Sequence, residues 1–494
     1  MSRPPTAAVP RPPVLGLLVR RELAELLGKR RTRGVMVLIV LVPLLAAVIA
    51  GARYRADRRA FDVAVERYER HLEAASVNDL ADLYHPAIKP PFRLALIAGA
   101  GELTSPKVDR RVLSAWLEPE LVGLRPIRPY RKTEDERLPE TPLGLDQRLP
   151  EPEPLDWQFL IGVVLSLAAF VLGYDALCGR RQRALLRLTL SYAVDRRQAL
   201  LAKLAALWTC LALPFVAGAG ASVLVMVGYG GLRPSGEEMA KMAAALAVGL
   251  WAIAFFVLIA LLVSALVGAA ARALATLALV WVAAVVAIPA AAVLLAQVLR
   301  PTPTELQIAH RMADVRRQVE GERGAGSWRA PALAKEDDFR VERRAAAIQN
   351  RRWRLQEAVR REVISDQLAQ VALFRDLACL SPTFLAQDLI QRLVGAGLVR
   401  DRAFVAQARA FDRALKQRLR QLDASDPSSP HLCFFAGYLS RRPIDPGRLV
   451  RFELREPSLA DGLAAGAGRG LIFALETALM AFLVGFCFER DHLR

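Results

Sequence analysis

Histidine and cysteine are scarce in this chain, five of each in 494 residues, and lysine is nearly as rare, with eight against 59 arginines. So few cysteines exclude a small disulfide scaffold. No Cys-x-x-Cys pair and no Gly-x-Ser-x-Gly elbow occurs. His71, His85, His310, His431 and His492 never fall at a metal-ligand spacing such as i, i+4, so each reads as a surface residue rather than a ligand. A phosphate-binding loop is missing as well. The nearest fragment, Gly28-Lys29-Arg30, has Leu23 where the first glycine must let backbone amides wrap the phosphates. The chain is therefore not expected to hydrolyse ATP itself, and no nucleophile or metal cluster points to covalent chemistry. The formal charge is +18, yet it comes with neither zinc-finger spacing nor aromatic-interleaved basic patches. The preference for arginine reads as a habit of composition, not as a nucleic-acid footprint.

Apolar residues make up 54% of the chain and charged residues 23%, at a mean hydropathy of +0.26. A chain so apolar is not disordered, and such a combination requires the two populations to be segregated. They are. Six apolar segments, 34–52, 157–174, 204–227, 242–270, 273–299 and 470–488, reach or approach the 18 to 20 residues that cross a bilayer as a helix. Pro43, Pro214 and Pro289 lie inside them, where neighbouring helices can satisfy the freed carbonyls. Arg272 separates the fourth span from the fifth and marks a tight hairpin. Residues 1–34 carry eight basic and two acidic residues, and 175–203 carry seven and two. Both flanks lie on one side of a six-span chain, and the excess of basic residues makes that side the cytoplasm. The expected fold is mainly α. It is a polytopic membrane protein with six transmembrane helices, both termini cytoplasmic, and two mostly helical extracytoplasmic insertions, 53–156 and 300–469, with minor strand content. Residues 489–494 form a cytoplasmic tail. The second insertion carries 29 basic and 21 acidic residues over 299–468, but loops longer than about 60 residues translocate largely regardless of charge.

Within that frame, 14–30 has the pattern of an amphipathic helix. Leu15, Leu18, Val19, Leu23, Leu26 and Leu27 fall in one arc, with Arg20, Arg21, Glu25 and Lys29 away from it. It suits a helix in the cytoplasmic interface ahead of the first span, within the segment 1–33. Glu22 falls inside the apolar arc. Either the helix lies shallow and Glu22 snorkels to water, or Glu22 meets a basic group on a partner. In the second insertion, 303–320 and 336–375 have helical patterning, with 321–332 as a break between them. Ser381-Pro382 starts another helix, 401–422 reads as a further one, 423–430 as a turn-rich linker, and 452–454 as a short strand. The arginines there, Arg351, Arg352 and Arg354 among them, either attract an acidic partner or form a solvated surface. Cys379 and Cys433 both lie in this insertion. They can pair if that side is oxidising, or remain two separate buried thiols. Glu476 is the acid well inside a span. It lies on a substrate path or between helices, or else hydrogen-bonds a neighbouring span near the interface. Asp156 and Asp175 bracket the second span.

The stretch 175–203, DALCGRRQRALLRLTLSYAVDRRQALLAK, is too charged to span and suits a short helix, a bend near Ser191-Tyr192-Ala193 and a second helix feeding the third span. It resembles the cytoplasmic loop of ABC-2 type transporter permeases. That loop runs Gly-Glu-(Arg/Lys)-Glu-x-Gly-Thr-Leu, a few apolar residues, Ser-x-Pro-Val-x-Arg, then Gly-Lys entering a span. Gly179, Arg181, Leu186, Leu188, Leu190, Ser191, Val194, Arg196 and Lys203 fall on matching positions. Arg180 and Gln182 replace the two acids, Ala184 and Leu185 replace Gly-Thr, and Ala193 replaces the proline. Arg21-Glu22-Leu23 is similar to the basic-Glu-Leu pattern of the family's lead-in helix. His85-Pro86 through Leu96 and Gly99, and the turn Gly395-Ala396-Gly397 after Ser381-Pro382, resemble the outer loops of a subgroup with two large insertions. The resemblance implies a permease of an exporter in the inner membrane of a bacterium. A separate ATP-binding subunit would dock on Glu22, Gly179, Arg180, Arg181, Arg187, Ser191, Arg196 and Lys203. ATP would be bound by that partner and no cofactor by this chain. A second copy or a paralogue would complete the path, with Glu476 on it. The rival readings are a membrane-anchored assembly or scaffold protein acting through the outer insertions, and an ATP-independent secondary transporter. The second usually shows an internal repeat, and none is evident here.

Overall fold

A computed structural model of the chain describes residues 14–72, 76, 77, 79, 90–98, 155–178, 195–321, 340–429, 431, 439–445, 447, 449 and 451–490. The described elements are helices. Helix α1 is Val14–Gly28 and α2 is Arg30–Leu72, whose 43 residues carry the first apolar run and continue well past it, about 65 Å in all. Helix α3 is Trp157–Gly173, α4 Arg196–Gly228, α5 Gly236–Leu266 and α6 Ala270–Leu299. Helices α7, Glu305–Gly321, and α8, Arg340–Ala378, are long and charged, α9 is Pro382–Val394, α10 is Leu398–Ala424, and α11 is Leu459–Arg490. A one-turn helix, Ala95–Ala98, packs on α2 and the start of α3.

Five of these helices, α2, α4, α5, α6 and α11, are long and apolar enough to cross a membrane. Helix α3 is shorter, 17 residues or about 25 Å. The six alternate in direction, as side-chain ties at the two ends show. Near α1, Arg31 of α2 holds Asp175 just past α3 at 2.6 Å, Lys203 of α4 holds Glu22, and Arg197 of α4 reaches Glu489 of α11 at 3.1 Å. At the far end, Arg93 pairs with Glu238 of α5 at 2.7 Å, and the Leu459 N–H of α11 donates to Glu237 at 3.0 Å.

Helix α5 is the centre of the bundle. Ile253, Phe256, Val257 and Leu261 are fully buried and its sequence is apolar all round. Aromatic rings interlock across it, with Phe170 of α3 edge-on to Phe256 and Phe473 of α11 against Trp251 and Phe255. In hydrocarbon such packing replaces the hydrophobic effect as the force between helices, so small residues mark the closest approaches. A Cβ on Gly218 of α4 would come within 2.9 Å of the Pro43 ring of α2. Helices α6 and α11 keep apolar faces outward. Leu279 and Leu294 of α6 and Leu475 and Phe482 of α11 are all exposed.

Two expectations need correction. Arg272 is not the corner between the fourth and fifth spans. The turn lies at Val267, Gly268 and Ala269, where the backbone turns extended, and Arg272 sits in the first turn of α6. Residues 452–454 form no strand, and they face a helix and not a strand. Phe452 packs on Phe404 and Phe411 of α10, and the Gln407 side chain of α10 bonds the backbone N–H and C=O of Arg455. Among the described residues the only β pairing is an isolated Ser76–Pro443 bridge.

Helix α9 has 13 residues, too few to cross a bilayer, yet all except Pro382 and Arg392 are buried. It wedges between α5, α11, α6 and the start of α3. Ser381 caps its start by accepting the Phe384 N–H, Pro382 follows at the first helical position, and Gly395 ends it in the left-handed conformation at φ 69°. Its seat in α6 has a specific origin. Residues 283–287 are a π-helix, in which the Ile288 N–H bonds the Ala283 carbonyl five residues back. The next donor in that series would be residue 289, which is proline and has no N–H. The Ala284 carbonyl is thereby left open, and the hydroxyls of Ser381 and Thr383 both donate to it.

Candidate functional site

At the α1 end, three elements meet in a cleft. Helix α1 presents Glu22 and Glu25, the exit of α3 presents Asp175, and α4 presents Lys203. Lys203, 9% exposed, donates to both Glu22 oxygens at 3.0 and 3.1 Å. Arg31 grips both oxygens of Asp175 at 2.6 Å and lies over the Tyr174 ring. Lys29 stands 3.7 Å from Glu25. The cleft thus holds three carboxylates against three cations, and these ties join α1, α2, α3 and α4. The backbone N–H groups of Leu177 and Cys178 both donate to the Ser264 hydroxyl of α5, at 2.9 and 3.1 Å. That contact ties the exit of α3 to α5.

The predicted docking residues divide accordingly. Glu22 and Lys203 are brought together, so the polar residue inside the apolar arc of α1 has a partner in its own chain. Arg196 is exposed at the start of α4, one residue after Asp195, whose side chain caps the helix. Gly179, Arg180, Arg181, Arg187 and Ser191 lie outside the described residues. Glu476 stands apart from this cleft, half-buried on α11, with its Oε2 buried and without a partner. The residue next to it, Thr477, accepts the Trp251 indole N–H at 3.0 Å.

A model of the family described as ABC-2 family transporter protein matches residues 17–406, most of the chain and including both helices that line the cleft. The chain belongs to the ABC-2 transporter family. No curated protein matches it. As an ABC-2 permease subunit it is a multi-pass membrane protein and a transport domain, not a catalytic one. Among the described residues, no three His, Cys, Asp or Glu side chains are placed to hold a metal ion.

The permease has a second polar centre that the sequence reading passed over, at the end remote from α1. Asp388 of α9 is fully buried. Its Oδ1 accepts from Arg375 of α8 at 2.8 Å, and its Oδ2 accepts from Arg392 at 2.7 Å and faces Arg469 of α11 at 3.3 Å. Burial alone would raise its pKa, but the guanidiniums of Arg375 and Arg392 outweigh that and hold the carboxyl below the usual range. A buried ion cluster of this kind is not strong evidence of stability in itself, yet removing one partner is costly. Arg375 also donates to Gln391 Oε1 at 3.0 Å, and Gln391 donates to Gln158 of α3 at 3.2 Å. Gln158 and Gln387 exchange hydrogen bonds through each other's backbone carbonyls at 3.1 and 3.2 Å. A continuous polar chain therefore crosses from α3 through α9 to α8 and α11. The available signal was Asp388 itself, a lone acid within the apolar run of α9. Cys379, at the foot of this cluster, is a buried free thiol. Burial, then the charge of Asp388, push it up to about 12, so it stays protonated and inert at neutral pH. Its candidate partner Cys433 lies outside the described residues.

Proposed function

We propose that this ABC-2 permease subunit is the membrane half of an exporter whose energy comes from a separate ATP-binding subunit docked at the α1 end. The carrying observation is the cleft. Glu22–Lys203 and Arg31–Asp175 bind α1, the exit of α3 and the entrance of α4 into one body, and in sequence the basic stretch 179–194 connects that exit to that entrance. A force applied to that stretch would reach three spans together. In this reading Arg180, Arg181, Arg187 and Arg196 face the ATPase, while Glu22 and Lys203 transmit the load. Closure of the ATPase re-packs the bundle between two arrangements. A second copy or a paralogue completes the pore, and Glu476 lies on the path. The chain crosses a bacterial inner membrane six times, with α3 as the short sixth span, both termini in the cytoplasm, and 53–156 and 300–469 outside.

The test is a single reporter cysteine in a cysteine-free background. Arg196→Cys, co-expressed with its ATPase, should resist a membrane-impermeant thiol reagent in intact cells and react in inverted vesicles. It should also cross-link to the ATPase. Labelling from outside intact cells would overturn the orientation. Cytoplasmic labelling with no cross-link at any spacer length would overturn the docking.

A further inference from the structure

The six apolar segments, 34–52, 157–174, 204–227, 242–270, 273–299 and 470–488, hold no lysine, no arginine and one acid, Glu476. Glu476 falls near the middle of the 32 residues of α11, and Trp251 near the middle of the 31 residues of α5. Trp251 touches residues on both sides of Glu476 along α11. Its ring packs on Phe473, three positions earlier, with centroids 4.7 Å apart, and its indole N–H donates to Thr477, one position later, at 3.0 Å. The donors in this layer are committed. The Thr477 hydroxyl donates to the Phe473 carbonyl at 2.7 Å, and Trp208 of α4 donates its N–H to the carbonyl of Leu250, next to Trp251, at 3.0 Å. Among the described residues, Glu476 Oε2 is buried with no hydrogen-bond partner, and the side chain joins no ion pair.

An acid at that depth is costly and needs an answer. The chain does not supply one, and a second copy cannot, because its apolar segments hold no cation either. The counter-charge has to come from outside the chain. The surroundings narrow what brings it. Trp251 is half-buried, so part of its ring stays open beside Glu476, and Phe473 and Phe255 back it at 4.7 and 5.3 Å from ring to ring. Aromatic faces attract cations, and tryptophan does so best. With its own N–H spent on Thr477, the indole offers Glu476's partner a ring face and no donor. A carboxylate beside such a face suits a cation carried on an apolar body, and the apolar wall gives no partner to a ligand rich in hydroxyls.

We propose that Glu476, with the Trp251 ring beside it, receives an apolar organic cation, and that such cations are the substrate class of this permease. Glu476 supplies the charge and Trp251 the ring face, while Phe473 and Thr477 hold the indole in place. The proposal rests on the reading of Glu476 as part of the transport path. It needs only the membrane bundle, so it stands or falls separately from ATPase docking.

The test uses the full chain, without its ATPase, in nanodiscs of zwitterionic lipid. The probes are tetraphenylphosphonium and tetraphenylborate, a cation and an anion of nearly the same shape, and saturable binding above that of empty nanodiscs is read by equilibrium dialysis. Wild type should bind the cation and not the anion. Glu476→Gln, with a thermal midpoint no lower than wild type, should weaken cation binding at least about tenfold, as expected for losing an opposite charge away from water. Glu476→Asp, which keeps the charge, should recover part of it. Equal cation binding by wild type and Glu476→Gln, or no saturable cation binding by wild type, overturns the proposal. So does a Glu476→Gln protein that changes only its oligomeric state, since Glu476 would then be a contact between copies. Because no ATPase is present, a failure of the docking reading cannot imitate any of these results.

Discussion

Glu22 and Lys203 lie 181 positions apart and share one ion pair. The sequence made Glu22 conspicuous, because a carboxylate within an apolar arc has to be answered by something. It did not reveal the answer, because Lys203 is separated from it by three helices' worth of chain and opens a span of its own. Asp388 shows the reverse. Its oddity within TFLAQDLIQRLV was visible, but the charged helices on either side made the region look like an ordinary solvated insertion. Its partners Arg375 and Arg469 become neighbours only when α8 and α11 fold over α9. At this scale the account predicts a specific coupling. Lys203→Met should destabilise the permease by about 1–3 kcal/mol, the cost of leaving a half-buried carboxylate without its donor. Adding Glu22→Gln should restore much of that loss. Thermal unfolding of the single and double variants in detergent measures the cycle, and strictly additive losses would show that the pair does not hold α1 to α4.

Among the elements, the long apolar runs were legible because twenty apolar residues have few alternatives to a membrane helix. Their ends were less so. Except for α3, the spans begin earlier or finish later than the apolar runs, since capping and charged turns extend helices beyond them. Arg272 misled for that reason, as a charge at the interface can sit inside a helix. Helix α9 was legible only as a helix, from Ser381-Pro382 at its start and Gly395 at its end. That it plugs into the bundle depends on a backbone event in α6, where the π-helix and Pro289 expose the Ala284 carbonyl. This accounts for a testable asymmetry. Ser381→Ala with Thr383→Val should cost about 1–3 kcal/mol by stranding that carbonyl. In a Pro289→Ala background, which returns a backbone N–H, the same pair of changes should cost markedly less. Equal losses in both backgrounds, read by thermal unfolding, would mean that the hydroxyls matter for some other reason.

For the molecule as a whole, the bundle has two differently built ends. At one, balanced ion pairs join α1, α3 and α4 around a cleft. At the other, a buried polar chain ties α3, α9, α8 and α11, and the surplus charge is positive. Under the proposed function, the first end is where the permease would receive work from its ATP-binding partner. The most direct measurement of that account is purification of the protein from native membranes in mild detergent, alongside a variant carrying Arg180→Glu, Arg181→Glu, Arg183→Glu and Arg187→Glu. The account predicts that an ATP-binding subunit accompanies the wild type and is lost from the variant, while both retain the same thermal midpoint. If no ATPase accompanies the wild type under any detergent or salt condition, or if the variant retains it undiminished, the α1 end is not the docking site and the coupling mechanism is contradicted.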